Sequence, residues 1–443
     1  MNYESMAGYE DFINTKYKPK STDLLVSFKV KIPKGVKKEK AIGAVASESS
    51  VGTWASTVKG SEYSHVKKVA GTVYFVTQES PTSYWTKIAY PQDHFEPGNM
   101  SQILASIAGN VFGMKAVDGL RIEDIKWPAK IRDSFPGPQF GIDGIRKIFK
   151  VKKRPLLLSV PKPKVGMTTP EHCEIGRQIW SGGIDLLKDD ENLSSQKFNP
   201  FEKRVRTAVK IRDRIEKETG DKKSYLINIT HSSYKEMEKR AKLIADLGWE
   251  YVMIDIVTTG FSGVHSVREL CQDLGLAIHA HRAMHASFTR NPDHGFSMLA
   301  LAETSRLLGV DNIHIGTAGV GKLVGTSDQV LSLQDHITGK KVKENKKLRT
   351  LGEDWGRIKP VFPVSSGGLH PGVLPDVMKK MGTNIMIQAG GGIHGHPGGS
   401  HAGAIAVRQA VEAYLDGETL DERARKVPEL QQALTLWGKK HIK

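Results

Sequence analysis

Cysteine is almost missing. Cys173 and Cys271 are the only two in 443 residues, too few for a disulfide framework or a cysteine-built zinc site, and a reducing, cytoplasmic setting is expected. Long apolar runs are missing too. No stretch reaches the roughly 18 apolar residues of a membrane span, and residues 1–20 hold no apolar core ahead of a cleavage site, so neither membrane insertion nor export is expected. No sequence repeat of about 20 to 50 residues stands out. Acid is the minority charge, with 48 Asp and Glu against 64 Lys and Arg and a formal net charge of +16. Such a surplus fits either phosphate contacts to a nucleic acid or a basic surface that steers small anionic substrates. The lysines are scattered, with clusters at 37–40, 150–154 and 340–347 and no nucleic-acid motif beside them, so a solvated surface is expected and no nucleic-acid partner.

What is present is an ordinary globular composition, 39% hydrophobic and 25% charged. The length suits two domains rather than one. Strand-like runs at 24–32, 72–77 and 85–90 and a helical segment near 100–108 occur in irregular order, which predicts a compact α+β domain over residues 1–136. Phe135-Pro136-Gly137-Pro138 marks the break. Beyond it, short β-rich runs at 156–160, 184–187, 225–229, 251–257, 277–281, 312–315, 361–364 and 385–387 alternate with amphipathic stretches such as 200–219, 233–247, 263–274 and 294–308. Eight β/α alternations predict a (β/α)₈ TIM barrel over residues 137–443, with its site at the C-terminal strand ends. The lysine-rich segment 338–352 has no apolar periodicity and reads as an exposed insertion between the sixth and seventh barrel strands.

The strand ends carry the chemistry. The second barrel run stops in Lys188-Asp189-Asp190-Glu191. Alternation puts Lys188 and Asp190 on one side, and Glu191 joins them as the strand bends into its loop. Two carboxylates beside a lysine suit Mg²⁺, or they form a plain ion-paired cluster. A protonated lysine would repel the metal. It becomes a ligand only by losing its charge or by capturing CO₂ as an anionic carbamate. After the first strand, Pro161-Lys162-Pro163-Lys164 sets two lysines at the mouth, where burial and a nearby metal would make one a proton-abstracting base. The fifth strand ends His279-Ala280-His281-Arg282, pairing histidines on one face with a fork-shaped phosphate donor. The sixth runs through His314 into Gly316-Thr317-Ala318-Gly319-Val320-Gly321-Lys322, a flap able to close a cation over an anion. Ser365-Ser366-Gly367-Gly368 and Gln388-Ala389-Gly390-Gly391-Gly392 follow the seventh and eighth strands, where glycine loops cradle phosphate. In the first domain, the loop around Glu48, Thr53 and Trp54 could offer donors to an anion, and Asn110 reads as a helix C-cap. Together these predict a small sugar-like substrate with a phosphate at each end, deprotonated next to a carbonyl.

The motifs GGIDLLKDDEN, KPKVG, HAHRAMHA, GTAGVGKLVG, SSGGLH and QAGGG, with ESSVGTW and GNVFG earlier, closely resemble the large subunit of ribulose-1,5-bisphosphate carboxylase/oxygenase (RuBisCO), over nearly the whole chain and in order. The resemblance implies that Lys188, carbamylated by an activating CO₂, binds Mg²⁺ with Asp190 and Glu191. It implies that Lys162 enolises the substrate with Lys164 tuning it, that His281 transfers a second proton, and that Lys322 stabilises the new carboxylate. Arg282, His314 and Ser366 are similar to the contacts to one phosphate and nearby hydroxyls. Gly367, Gly368, Gly390 and Gly391, with Gln388 beside them and Thr53 and Trp54, are similar to the contacts at the other. Glu48, Thr53, Trp54 and Asn110 would come from the neighbouring subunit, so a homodimer is the minimum, with a decamer or other ring of dimers open and no small subunit expected.

The resemblance further implies addition of CO₂, or of competing O₂, to ribulose 1,5-bisphosphate, with two 3-phosphoglycerates from the CO₂ reaction, in nucleotide salvage from AMP or in carbon fixation. VPKPK, LINIT, MIDIV, FTRNP and PVFPV are similar to the archaeal form III group, while the flap is one residue longer than the plant-type pattern and resembles form II. The insertion at 338–352 is also longer than in a minimal form III chain, so a form II/III intermediate fits best. The alternative is a RuBisCO-like enolase or isomerase of a sulfur-containing sugar phosphate. Such relatives typically lose the flap lysine and phosphate contacts that are kept here.

Overall fold

The computed structural model describes residues 8–52, 65–322 and 325–441, so Thr53 and Trp54 lie outside the described residues. The chain divides into two compact units. One comprises residues 1–136 with 284–307 and 339–358; the other comprises 137–283, 308–338 and 359–443.

The first unit is built on a sheet in which β1 (Asp23–Lys31) pairs antiparallel with both β3 (Ser83–Pro91) and β4 (Gly119–Lys126). The hairpin partner β2 (Thr72–Ser80) lies at one edge, and the two-residue β10 (Gly295–Phe296) runs parallel to β4 at the other. Leu24, Val26, Phe28 and Val30 alternate along β1 and are fully buried, the period-two burial expected of a strand with one face in the core. Asn110 is not a helix cap. The helix Met100–Ile107 ends at Ala108, because Gly109 turns so tightly that a Cβ there would meet the Ala105 carbonyl at 2.1 Å, and Asn110 opens a 3₁₀ turn.

The lysine-rich segment is more ordered than an exposed insertion. Its lysines face solvent, but it forms an antiparallel pair, β12 (Lys341–Val342) with β13 (Glu353–Asp354), and clusters with the first unit. Glu344 pairs with Lys87 at 2.6 Å, Arg349 grips Glu79 through two bonds, and Glu353 accepts from the Trp127 amide at 2.8 Å. Those anchors are scattered polar side chains, which carry no periodic signal. A contiguous division at 136 and 137 thus leaves out two later stretches that pack with the first unit.

The second unit is a closed parallel barrel of β5 (Leu156–Ser159), β6 (Leu186–Lys188), β7 (Ser224–Asn228), β8 (Tyr251–Asp255), β9 (Ala277–His281), β11 (Asn312–His314), β14 (Phe362–Ser366) and β15 (Met386–Gln388), each hydrogen-bonded to the next and the last to the first. The eight expected runs are these eight strands, with the second, seventh and eighth reaching one or two residues further towards the mouth. Helices separate them with clear punctuation. Thr168 and Glu171 form a capping box for Thr169–Ser181, and Gly220 at φ 73° ends Phe201–Thr219. Leu156, Leu158, Leu186, Leu226, Met253, Val364 and Met386 fill the barrel, and Ile142, Ile145 and Phe149 of the helix Gly141–Phe149 join the same core. No helix among the described residues is long and apolar enough to cross a membrane.

Candidate active site

Lys188 ends β6 and is completely buried. Its Nζ donates to the Asp189 carbonyl at 2.8 Å and lies 3.9 Å from Glu191 Oε2. Burial pushes its pKa down, against the pull of Glu191, Asp190, Asp255 and Asp189, so the amine is biased towards the neutral, nucleophilic form. Asp190, nearly buried, accepts from Lys162 Nζ at 3.0 Å and from Asn192 Nδ2 at 2.9 Å. Burial acts to raise its pKa, but the bonds from Asn192 and Lys162 outweigh it and keep the carboxyl ionised. Glu191 is about one-third exposed and faces His281 Nε2 at 3.4 Å. The donor set fits a hard cation: two carboxylates on one rim beside a buried amine whose pKa is pushed down.

His281 is fixed from behind by Asp255 Oδ1, 3.0 Å from its Nδ1. Asp255 and, at 3.2 Å, the Ala283 amide nitrogen both approach Nδ1, and Nε2 faces the mouth. Burial, followed by the charge of Lys188, holds the ring below the usual histidine range despite Asp255. Arg282 follows, only 8% exposed and with no hydrogen bond or ion pair among the described residues. Burial lowers its pKa to about 10, yet it stays a cation at neutral pH, and a buried guanidinium without a carboxylate is a ready anion receptor.

His314 and Ser366 meet at the ends of β11 and β14, Nδ1 to Oγ at 2.8 Å. The flap rests against the next loop, with the Lys322 amide donating to the Gly367 carbonyl at 3.1 Å. A Cβ on Gly321 would come within 2.0 Å of that carbonyl, so this approach needs glycine. Gly367 and Gly368 adopt φ of 113° and 75°, and Gly390 lies against Lys162, whose Cε would sit 3.6 Å from an added Cβ. Gln388 ends β15 with its Oε1 buried and unpartnered among the described residues.

The barrel therefore gathers Lys162, Lys188, Asp190, Glu191, His281, Arg282, His314, Lys322, Ser366, Gly367, Gly368, Gln388, Gly390 and Gly391 on the loops and ends at one face. Lys164 is exposed, and the side chain of Lys162 is 39% exposed rather than buried. Glu48, half-buried at the end of the helix Lys38–Glu48, and Asn110, exposed, belong to the other unit. Two residues of the site were not singled out from sequence. Asp255 orients His281, and Asp189 turns into the wall to meet Tyr225, Arg204 and the Asn228 amide; His279, paired with His281 from the sequence, backs His314. Asp255 was findable, since it is the lone acid at the end of an apolar strand.

Two family models match the chain. Residues 141–437 match the ribulose bisphosphate carboxylase large chain catalytic domain, and residues 11–131 match the N-terminal domain of the same large chain. Among curated relatives, the ribulose bisphosphate carboxylase of Pyrococcus abyssi is 48% identical over 97% of this chain and 97% of its own. That of Methanocaldococcus jannaschii is 48% identical over 96% of this chain and 100% of its own. Among solved structures, the dimeric archaeal Rubisco of Hyperthermus butylicus superposes with a TM-score of 0.92 at 45% identity, covering 97% of this chain and 99% of its own. The octameric Rubisco of Pyrococcus horikoshii gives 0.89 at 47% identity, covering 97% of both.

Proposed function

This chain belongs to the ribulose bisphosphate carboxylase large-chain family, and from that premise we propose that it adds CO₂, with O₂ in competition, to ribulose 1,5-bisphosphate and yields two 3-phosphoglycerates from CO₂. The observation that carries the reading is the fully buried Lys188 amine, its pKa pushed down by burial, flanked by Asp190 and Glu191. An amine of this kind attacks CO₂, and the carbamate formed loses a proton to become an oxygen donor.

Lys188 as carbamate, Asp190 and Glu191 would hold Mg²⁺, which when bound polarises the substrate's carbonyl and hydroxyl oxygens. Lys162, at the rim beside Asp190, takes the proton next to the carbonyl. His281, its Nδ1 side anchored by Asp255 and its Nε2 facing the mouth, takes the second proton as water adds to the carboxylated intermediate. Arg282 and Ser366, the latter held by His314, fix one phosphate end and nearby hydroxyls. The glycine loops at 367–368 and 390–391, with Gln388, receive the other. Lys322, on the flap, brings its cation to the carboxylate formed from CO₂, and Lys164 supports Lys162.

Glu48, Thr53, Trp54 and Asn110 would complete the site from a second copy, so the working unit is a homodimer at least. The related Rubiscos of Hyperthermus butylicus and Pyrococcus horikoshii are dimeric and octameric. Purified protein incubated with labelled bicarbonate, Mg²⁺ and ribulose 1,5-bisphosphate should form labelled 3-phosphoglycerate; none would end the reading. Native mass measurement should give no monomer under the same conditions.

A further inference from the structure

Behind His314 and Ser366 lie two side chains that the proposed reaction does not use. His279 on β9 and Asn312 on β11 are cross-strand partners in the barrel ladder, and both are completely buried. With His314 and Ser366 they form one unbroken chain. Asn312 Nδ2 lies 2.8 Å from His279 Nδ1, His279 Nε2 lies 3.0 Å from His314 Nε2, and His314 Nδ1 lies 2.8 Å from Ser366 Oγ. The two rings meet edge to face at 86°.

Such a chain can run in two directions, and one contact chooses between them. The Asn312 amide nitrogen is also 3.1 Å from the sulfur of Met386, while Asn312 Oδ1 is buried with no hydrogen-bond partner among the described residues. A thioether sulfur only accepts, so the atom facing it must be the NH₂ group, which has a second hydrogen for His279 Nδ1. His279 then carries its own hydrogen on Nε2 and donates to His314 Nε2. His314 carries its hydrogen on Nδ1 and donates to Ser366 Oγ. Burial holds both rings well below the usual histidine range, so each has a single N–H to place.

We propose that Asn312 and His279 form a one-directional relay through His314 that makes Ser366 Oγ an acceptor within the protein and leaves its hydroxyl hydrogen to donate to an acceptor oxygen of the sugar bisphosphate. His279 is a positioning residue, acting through His314. The bisphosphate rests on the function proposed above; the polarity of the chain does not.

Neutron diffraction from deuterium-exchanged crystals should place deuterium on His279 Nε2 and His314 Nδ1. Deuterium on His279 Nδ1 and His314 Nε2 would overturn the relay. The kinetic arm uses His279→Phe, His279→Gln and Ser366→Ala. His279→Phe should raise KM for ribulose 1,5-bisphosphate about tenfold with kcat changed less, the effect of one misdirected hydrogen bond. His279→Gln, whose amide can replace the Nε2 donor, should recover most of it. In the Ser366→Ala background His279→Phe should do almost nothing further, and additive losses would overturn the proposal. If the parent makes no phosphoglycerate, the carboxylase reading fails and the neutron result still decides the relay.

Discussion

Asp185 and Asp190 flank the same short strand, and their surroundings differ in kind. Asp185, at the N-terminal end of β6, is 1% exposed and saturated: Arg154 donates to both oxygens at 2.6 Å and the Leu157 amide adds a bond at 2.8 Å. Its neighbours on that end follow suit. Lys223 donates to the Ile184 carbonyl, Glu250 takes Ser224 and Lys222, and Asp311 accepts from the Phe140, Gly141 and Ile278 amides. Asp190, at the other end, is tied to a half-exposed lysine and its own loop, while Arg282 has no ion pair among the described residues and Gln388 Oε1 no hydrogen bond. One end of the barrel spends its charge on closing the fold. The other leaves hydrogen-bonding capacity open, at a cost in stability, for a ligand to take up.

The sharpest break in that contrast is Lys188→Met, which keeps the volume of the side chain and removes the amine. Turnover should fall by about 10³-fold or more, on the order of losing a main electrostatic stabiliser, while the melting temperature holds or rises because a buried amine no longer has to be accommodated. Steady-state assays with thermal melts on one preparation check both halves. Activity near the parent's would remove the carbamate from the mechanism.

At the opposite end Asp185→Asn should do the reverse. It breaks a pair whose side chains are 12% and 1% exposed, and stripping one partner from such a pair costs about 3–5 kcal/mol. Denaturant midpoints should drop accordingly, while kcat/KM below the unfolding range stays at the parent value. A variant that keeps its stability but loses activity would show that the two ends are not separable.

The frame of this division was legible in the sequence. Eight apolar runs, each followed by polar or glycine-rich residues, predict a barrel mouth, and Lys188, Asp190, His281, Arg282 and Lys322 announce themselves as chemistry at those stops. Less legible was what stands behind them. Lys188 reads from sequence as a residue at a loop mouth, yet it is the last residue of a strand and fully buried, because β6 extends one position beyond its apolar run. Alternation turns Asp189 away from Lys188 and Asp190 but does not say what it meets. It points into the wall, where Arg204 and Tyr225, far along the chain, pair with it. His279 and Asn312 meet only through strand register, which the residue pattern of either strand alone does not encode. Thr338 onward shows the same limit, since its anchors on Lys87 and Glu79 come from another part of the chain.

Acid should separate the two ends more gently. Burial holds His172 and His394 down to about 4, with His172 joined to Tyr225 at 2.8 Å and His394 to the Val160 carbonyl at 2.8 Å, both on the mouth side of the barrel. In the unfolded chain a histidine titrates near 6.5, so between that pH and about 4 the unfolded state binds protons that the folded state refuses. The stability these rings contribute is therefore complete above about pH 6.5 and drains away as pH falls towards 4, by roughly 2–3 kcal/mol for each ring. The Arg154–Asp185 pair contains no histidine and should not share this loss. Hydrogen exchange at pH 7 and pH 5 should show amides around β5, β7 and their C-terminal loops losing protection first, while those beside Asp185 hold. Uniform loss at both ends would mean that the barrel opens as one unit and that charge placement does not grade its stability.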